Sequence, residues 1–213
     1  VCTWIVMIPN YPKTELATVA GLSACRELGV TDVFASMWND SGEQICHASL
    51  AGWQLYAELN YAAAGEPFDR EAFRRRVAWC TGAGYDDFYA LGSIDDIGGR
   101  GDHGEALEPS NPQRYLLWQD LLLGLFDKHV EHLDTRSHYA GYAERMAACE
   151  RRCAEANEEV AGVFRLASRL ADALAVKAGC GLRLKRAYDD RDRAELARMA
   201  GEELPDLREK VAR

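Results

Sequence analysis

Trp38, Asn39, Asp40 and Glu43 stand together at the end of the apolar run 33–37, and their types could hold a ligand. A flat indole beside carboxylate and amide acceptors suits a sugar ring. Asp40 and Glu43 are three residues apart. Retaining glycosidases hold two carboxyls at about 5–5.5 Å and inverting ones at about 6.5–9.5 Å, and a loop pair at this spacing can meet either distance. The residue types alone leave alternatives open. Trp38 is also suited to lid a core with its indole N–H bonded to backbone, Asp40 to accept from a ligand without catalysing, and Glu43 to sit as an anion at a helix start. Trp4 and Tyr11, around the end of the first apolar run, are candidates for the same rim.

Other groups are read as structural. His129 and His132 are three apart, with His138 beyond them, and are taken as solvated helix-end side chains. Cys149 and Cys153 lie four apart on an expected helix, but no second pair accompanies them, so they read as buried thiols rather than metal ligands. The chain lacks a G-x-G-x-x-G after a strand, a Walker loop, a G-x-S-x-G elbow and an H-E-x-x-H helix, and Gly98-Gly-Arg-Gly101 follows no strand. No cofactor and no metal are expected.

The elements that must position these groups change in kind along the chain. Trp4 to Ile8 reads as a strand closed by Pro9-Asn-Tyr-Pro12. Thr14 is expected to cap a helix with an apolar stripe of Leu16, Val19, Ala20, Leu22 and Ala24, ended by Gly29. A second strand is expected over 31–37, then a helix over 48–64 with Leu50, Trp53, Leu55, Tyr56 and Leu59 inside. Strand, helix, strand, helix is the order of a parallel α/β fold. Two strands do not complete such a sheet, and a whole (β/α)8 barrel takes about 250 residues.

Beyond Gly65 the pattern is helical. Helices are expected over 68–80, with Arg74, Arg75 and Arg76 on the outer face, and over 85–91. The stretch 93–112 is rich in Gly and charge and reads as an exposed loop. Asn111-Pro112 is expected to start a helix running through Tyr115, Leu116, Leu117, Trp118, Leu121, Leu122, Leu123, Leu125 and Phe126, too apolar for a surface helix and so buried on several sides. Residues 137–189 read as helical with a break near Gly179-Cys-Gly181, and 192–211 as an amphipathic segment interrupted by Gly201 and Pro205. Two domains follow, 1–64 and 65–213.

Composition narrows the partners. With 34 acidic against 25 basic side chains the formal net charge is -9, which opposes nucleic acid and anionic membrane surfaces. No apolar run approaches the roughly 18 residues of a membrane helix. Seven cysteines, odd in number and widely spread, point to a reducing, cytoplasmic setting. The chain begins with Val and is read as part of a longer polypeptide.

The run Cys25-Arg-Glu-Leu-Gly-Val-Thr-Asp-Val-Phe-Ala-Ser-Met-Trp-Asn-Asp-Ser-Gly-Glu43 resembles the end of the barrel in glycoside hydrolase family 20, the β-N-acetylhexosaminidases. The likeness continues through Leu50-Ala-Gly-Trp-Gln-Leu-Tyr-Ala-Glu-Leu-Asn-Tyr61, Tyr85-Asp-Asp-Phe88, the stretch from Asn111 to Asp127, and Leu182-Arg-Leu-Lys-Arg-Ala-Tyr-Asp-Asp190. It points to a bacterial branch with a helical region after the barrel. The resemblance implies that residues 1–64 are the last two βα units of a (β/α)8 TIM barrel, incomplete here, followed by a mainly α-helical domain. Trp38 would line the terminal-sugar pocket and Asp40 would accept from sugar hydroxyls, with Glu43, Trp4 and Tyr11 as further contacts. Many relatives carry Gly and Glu where this chain has Asn39 and Asp40.

Family 20 enzymes use substrate assistance: the acetamido oxygen of the sugar attacks while an adjacent Asp-Glu pair orients it and protonates the leaving group. No residue here matches that pair, so no catalytic residue is assigned. The expected whole protein is an exo-acting glycosidase acting on carbohydrate with a terminal N-acetylhexosamine. Its missing N-terminal barrel strands, on the same polypeptide, are the expected partner of this chain, which alone is expected to be inactive. The rival expectation is a helical protein-interaction module without catalytic activity.

Overall fold

Asn10 starts the first helix: its side chain accepts from the Lys13 N–H (3.0 Å), and Pro12 enters the first turn, where its missing N–H costs nothing. A computed structural model describes residues 7–35, 46–62, 68–97 and 112–212. They fold as helices α1 (Tyr11–Glu27), α2 (Leu50–Tyr61), α3 (Arg70–Thr81), α4 (Tyr85–Leu91), α5 (Pro112–Trp118), α6 (Asp127–Val130), α7 (Thr135–Cys153), α8 (Glu158–Lys177), α9 (Cys180–Asp189), α10 (Arg193–Arg198) and α11 (Leu204–Ala212).

The expected α/β start is overturned, because no strand occurs among the described residues. Met7 and Ile8, the end of the first expected strand, form a bend. Residues 31–35, most of the second, are irregular chain with Phe34 88% exposed. Ladder bonds come from a neighbouring strand, and none is available among the described residues, whereas helix bonds close within four residues. These residues therefore do not form the last two βα units of a TIM barrel. The rest of the two expected strands lies outside the described residues.

The described chain divides into two units, residues 1–93 with 148–164, and residues 94–147 with 165–213. In the first, α1 packs against α2 and α4, and α3 against α2 and α4. Its core is aromatic. The rings of Phe73 and Tyr85 lie 4.6 Å apart edge to face, Tyr11 meets Phe88 at 5.7 Å, and Phe88 meets Phe164 at 5.6 Å. The helix over 11–27 forms, but it starts before Thr14 and buries a different face from the one expected. Leu16 is 61% exposed, while Tyr11, Thr14 and Thr18 are inside. Burying Thr14 costs little because its hydroxyl donates to the Asn10 carbonyl oxygen at 2.9 Å. Asp69 caps α3 through the Ala72 N–H, and Gly82 ends it at φ 71°, a conformation open to glycine. Arg74 and Arg76 pair with Asp86 and Glu58 on the surface.

The second unit is built on small residues. Ala143, Ala167, Ala171, Ala173 and Ala178 are buried, so backbones can approach closely, and the Ser168 hydroxyl donates to the Ala143 oxygen at 2.9 Å. In the first unit, Asn157 breaks the long expected helix, accepting from the N–H groups of Glu159 and Val160 at the start of α8. The break at Gly179 falls where the sequence places it. At the C-terminal end a π turn over Met199–Glu203 carries the chain past Gly201 into α11, whose first turn accepts Pro205. Ile94 and Ile97, inside the stretch read as a loop, are buried, and residues 98–111 lie outside the description.

The expected buried helix from Pro112 through Phe126 ends instead at Trp118. The Asp120 carboxylate accepts from the N–H groups of Leu122 (2.8 Å) and Leu123 (3.1 Å), and Gly124 sits at φ 53°. Both features turn the chain out of helix. No helix among the described residues is long and apolar enough to cross a membrane.

Leu16 on the exposed face of α1 and Phe88, the α4 ring packed against Tyr11 on its buried face, give a direct check. Phe88→Ala should lower the unfolding free energy by about 3–5 kcal/mol, and Leu16→Ala should change it by less than about 0.5 kcal/mol, measured by urea denaturation. A large cost at Leu16 would restore the face expected from sequence.

Candidate functional site

Of the residues nominated from sequence, Trp4, Trp38, Asp40 and Glu43 lie outside the described residues. Tyr11 lies in the core of the first unit. Its hydroxyl donates to the Ala48 oxygen at 2.5 Å and accepts from the Gly52 N–H at 3.3 Å, which latches α1 to the start of α2. Burial raises its pKa above that of an ordinary phenol, and the backbone N–H of Gly52 opposes the rise. The hydroxyl is thus committed to backbone.

A concavity in the same unit is lined by Leu22, Cys25, Arg26, Val30, Thr31, Val33, Leu59 and Asn60. Its cation, Arg26, donates to the Leu59 carbonyl oxygen, and no carboxylate lines the wall. Nearby in this unit, Glu15 accepts from the Tyr85 hydroxyl at 2.8 Å and pairs with Arg70. Burial, then the neighbouring Glu15, pushes the Tyr85 phenol upward, so it stays a donor across the physiological range.

Cys149 donates to Asp87 at 3.4 Å and accepts from Arg152 at 3.1 Å. Burial, reinforced by the Asp87 charge, pushes its thiol up to about 11. At neutral pH it is a protonated thiol, the form that neither attacks nor ligates. Burial raises Cys153 as well. His138 lies with Nε2 3.1 Å from the Ile94 oxygen. Among the described residues no group of three or more His, Cys, Asp or Glu is arranged to hold a metal.

In the second unit a cleft is lined by Glu131, Asp134, Thr135, Arg136, Arg183 and Arg186 among others. Beside it Glu203 is buried. Arg183 donates to it through two nitrogens, Arg198 through one at 3.0 Å, and Arg136 lies 3.6 Å away. Burial pushes the Glu203 carboxyl up, but the hydrogen bonds from Arg183 and Arg198 outweigh it and hold the group below the usual carboxylate range. A carboxylate kept ionised in this way is no general acid at neutral pH. The cluster instead ties α9 to the π turn.

Sequence reasoning missed a second buried carboxylate. Asp127 accepts from Gln119 Nε2 at 3.1 Å and pairs with Lys185 at 2.9 Å, while Gln119 Oε1 accepts from the Phe126 N–H at 3.1 Å. Lys177 donates to the Gln119 carbonyl oxygen at 2.7 Å, and burial lowers its pKa. Gly124 and Gly181 make room: a Cβ on Gly124 would stand 2.1 Å from Asp127 Oδ2, and one on Gly181 3.0 Å from the Leu121 oxygen. The available signal was Asp127 with Gly124 inside a run otherwise too apolar to include them.

The depressed Glu203 carboxyl fixes a sign. Its contribution is present above the unfolded carboxyl value, about 4.3, and is lost as pH falls through the lower folded value. Glu203→Gln should lose about 2 kcal/mol at pH 7 and show a shallower fall of Tm between pH 7 and pH 3 than the parent. Parallel Tm curves would remove Glu203 from the acid response.

No curated protein matches the chain. Residues 86–213 match the family described as Glycoside Hydrolase 20C C-terminal domain, a span that takes in α5 to α11, the Asp127 and Glu203 clusters and the turn after Trp118. The match covers more than half of the sequence, and the chain belongs to the Glycoside Hydrolase 20C C-terminal domain family.

Proposed function

We propose that this chain is the C-terminal part of an exo-acting β-N-acetylhexosaminidase-like glycoside hydrolase. The observation that carries the reading is the family match over residues 86–213. The reaction is removal of a terminal N-acetylhexosamine with the sugar's own acetamido oxygen as nucleophile. The Asp-Glu pair that would orient that group and protonate the leaving oxygen belongs to a part of the polypeptide outside these 213 residues. In keeping with this, the buried carboxylates described here are paired with cations or hydroxyl groups.

The contribution of this chain to the sugar site is recognition. Trp38 offers a face for the pyranose ring, Asp40 accepts from its hydroxyls, and Glu43 and Trp4 extend the same rim. Tyr11, buried and with its hydroxyl bonded to backbone, is not counted among these contacts. The net charge of -9 suits a neutral carbohydrate and disfavours nucleic acid.

A second reading is a helical interaction module without catalytic activity. It is favoured by the large apolar side chains exposed after Trp118. One assay separates the two. The full-length gene product should release the aglycone of an aryl N-acetylglucosaminide, the isolated 213-residue chain should not, and Trp38→Ala in the full-length protein should lower kcat/KM at least about tenfold, the equivalent of ~1.4 kcal/mol. An inactive full-length protein would favour the module, and unchanged activity in Trp38→Ala would take that indole out of the site.

A further inference from the structure

The cleft of the second unit gathers polar groups that its own architecture leaves unused. Thr135, the first residue of α7, is 6% exposed, lines the cleft and makes no side-chain hydrogen bond among the described residues. Hydroxyls shut away from bulk water normally find a partner in the protein. This one faces Gly179, also on the cleft wall, where a Cβ would stand 3.7 Å from Thr135 Oγ1. The missing side chain leaves the hydroxyl uncovered.

Arg136, Arg183 and Arg186 share that wall. Arg183 is spent on Glu203, which it meets through two nitrogens. Arg136 lies 3.6 Å from the same carboxylate with its side chain 61% exposed, and Arg186, exposed on α9, forms no ion pair among the described residues. Those two guanidinium groups and the Thr135 hydroxyl remain for a ligand, and all are donors to an oxyanion.

The carboxylates of the cleft narrow what that ligand is. Asp134 turns one oxygen to the Ser137 N–H at 3.0 Å, so the start of α7 is already capped, and Glu131 is exposed on the same wall. A bare anion would be repelled by both. A molecule that carries hydroxyl groups beside its anionic group would instead donate to them. Val130, Val176 and Leu182 supply an apolar floor for a carbon skeleton.

We propose that this cleft binds a small oxyanion bearing hydroxyl groups, of the chemical class of a sugar phosphate. Arg136, Arg186 and the Thr135 hydroxyl hold the phosphate, Glu131 and Asp134 accept from the sugar hydroxyls, and the ring carbons lie on the apolar floor. The event is binding, with no bond made or broken. It stands on the cleft and not on the reaction proposed above.

Titration calorimetry on the full-length protein tests it with glucose 6-phosphate, inorganic phosphate and glucose as probes. Glucose 6-phosphate should bind saturably with a Kd below about 1 mM, inorganic phosphate about tenfold more weakly, and glucose not measurably. Arg186→Ala should weaken glucose 6-phosphate at least about tenfold. Thr135→Val should weaken it about fivefold while the Tm of the free protein stays the same or rises, because the hydroxyl it removes bonds to nothing in the protein. Thr135→Ser, which keeps the hydroxyl, and Arg75→Ala, an exposed arginine of α3 in the other unit, should bind as the parent does. Three results overturn the proposal: no saturable binding of either phosphate probe, binding that Arg186→Ala and Thr135→Val leave intact, or inorganic phosphate binding as tightly as the sugar phosphate. A Thr135→Val protein with lowered Tm and parental affinity would make the hydroxyl structural and overturn it too.

Discussion

A carboxylate leaves water only if other groups replace its solvation, and Asp127 does so with a lysine ammonium and a glutamine amide. The requirement spreads through the second unit. Gln119 must face inward to serve Asp127, which ends α5 one residue earlier. Lys185 must reach back from α9, which fixes the register of that helix. Gly124 and Gly181 must lack side chains, because each would occupy the space in which the pair meets. The end of α5, the start of α6 and the distant α9 are thereby held by one charge.

The same logic recurs with different chemistry. In the first unit the hydroxyls of Tyr11 and Tyr85 reach backbone and Glu15 respectively, so aromatic rings that fill the core also fix its polar contacts. At the C-terminal end Glu203 takes donors from Arg183 and Arg198, and a π turn brings it there. Fully apolar helices can slide against one another at small cost. Helices tied by a buried carboxylate cannot, because each displacement strands a charge.

Helices were legible in the sequence wherever capping and period agreed. The helix expected over 68–80 and found over Arg70–Thr81, and the break at Gly179, are such cases. The buried face of α1 was not, because counting apolar residues favours Leu16, Val19 and Leu22, while the core accepted Thr14, whose hydroxyl closes on Asn10. The run 112–126 misled for the opposite reason: its composition is that of a buried helix, but Asp120 and Gly124 act on the backbone and outweigh the leucines. The expected strands failed on a different principle. An apolar run such as 33–37 carries strand propensity, but a strand exists only through partners remote in sequence, and propensity says nothing about whether they are present. The nominated sugar contacts share that difficulty, since Trp38, Asp40 and Glu43 were placed by reasoning from a strand end.

What the described residues contribute to a hydrolase follows from how their ionisable groups are employed. A catalytic acid or base needs a shifted pKa and a free path to substrate. Here burial is the largest cause of the raised Cys149 and Tyr85, reinforced by Asp87 and Glu15, while hydrogen bonds from arginines outweigh burial at Glu203. Each shift records a contact between helices, and each would be lost if the group turned toward a substrate. Described groups engaged in this way in their own architecture act on a reaction only through the surfaces and segments they hold in place.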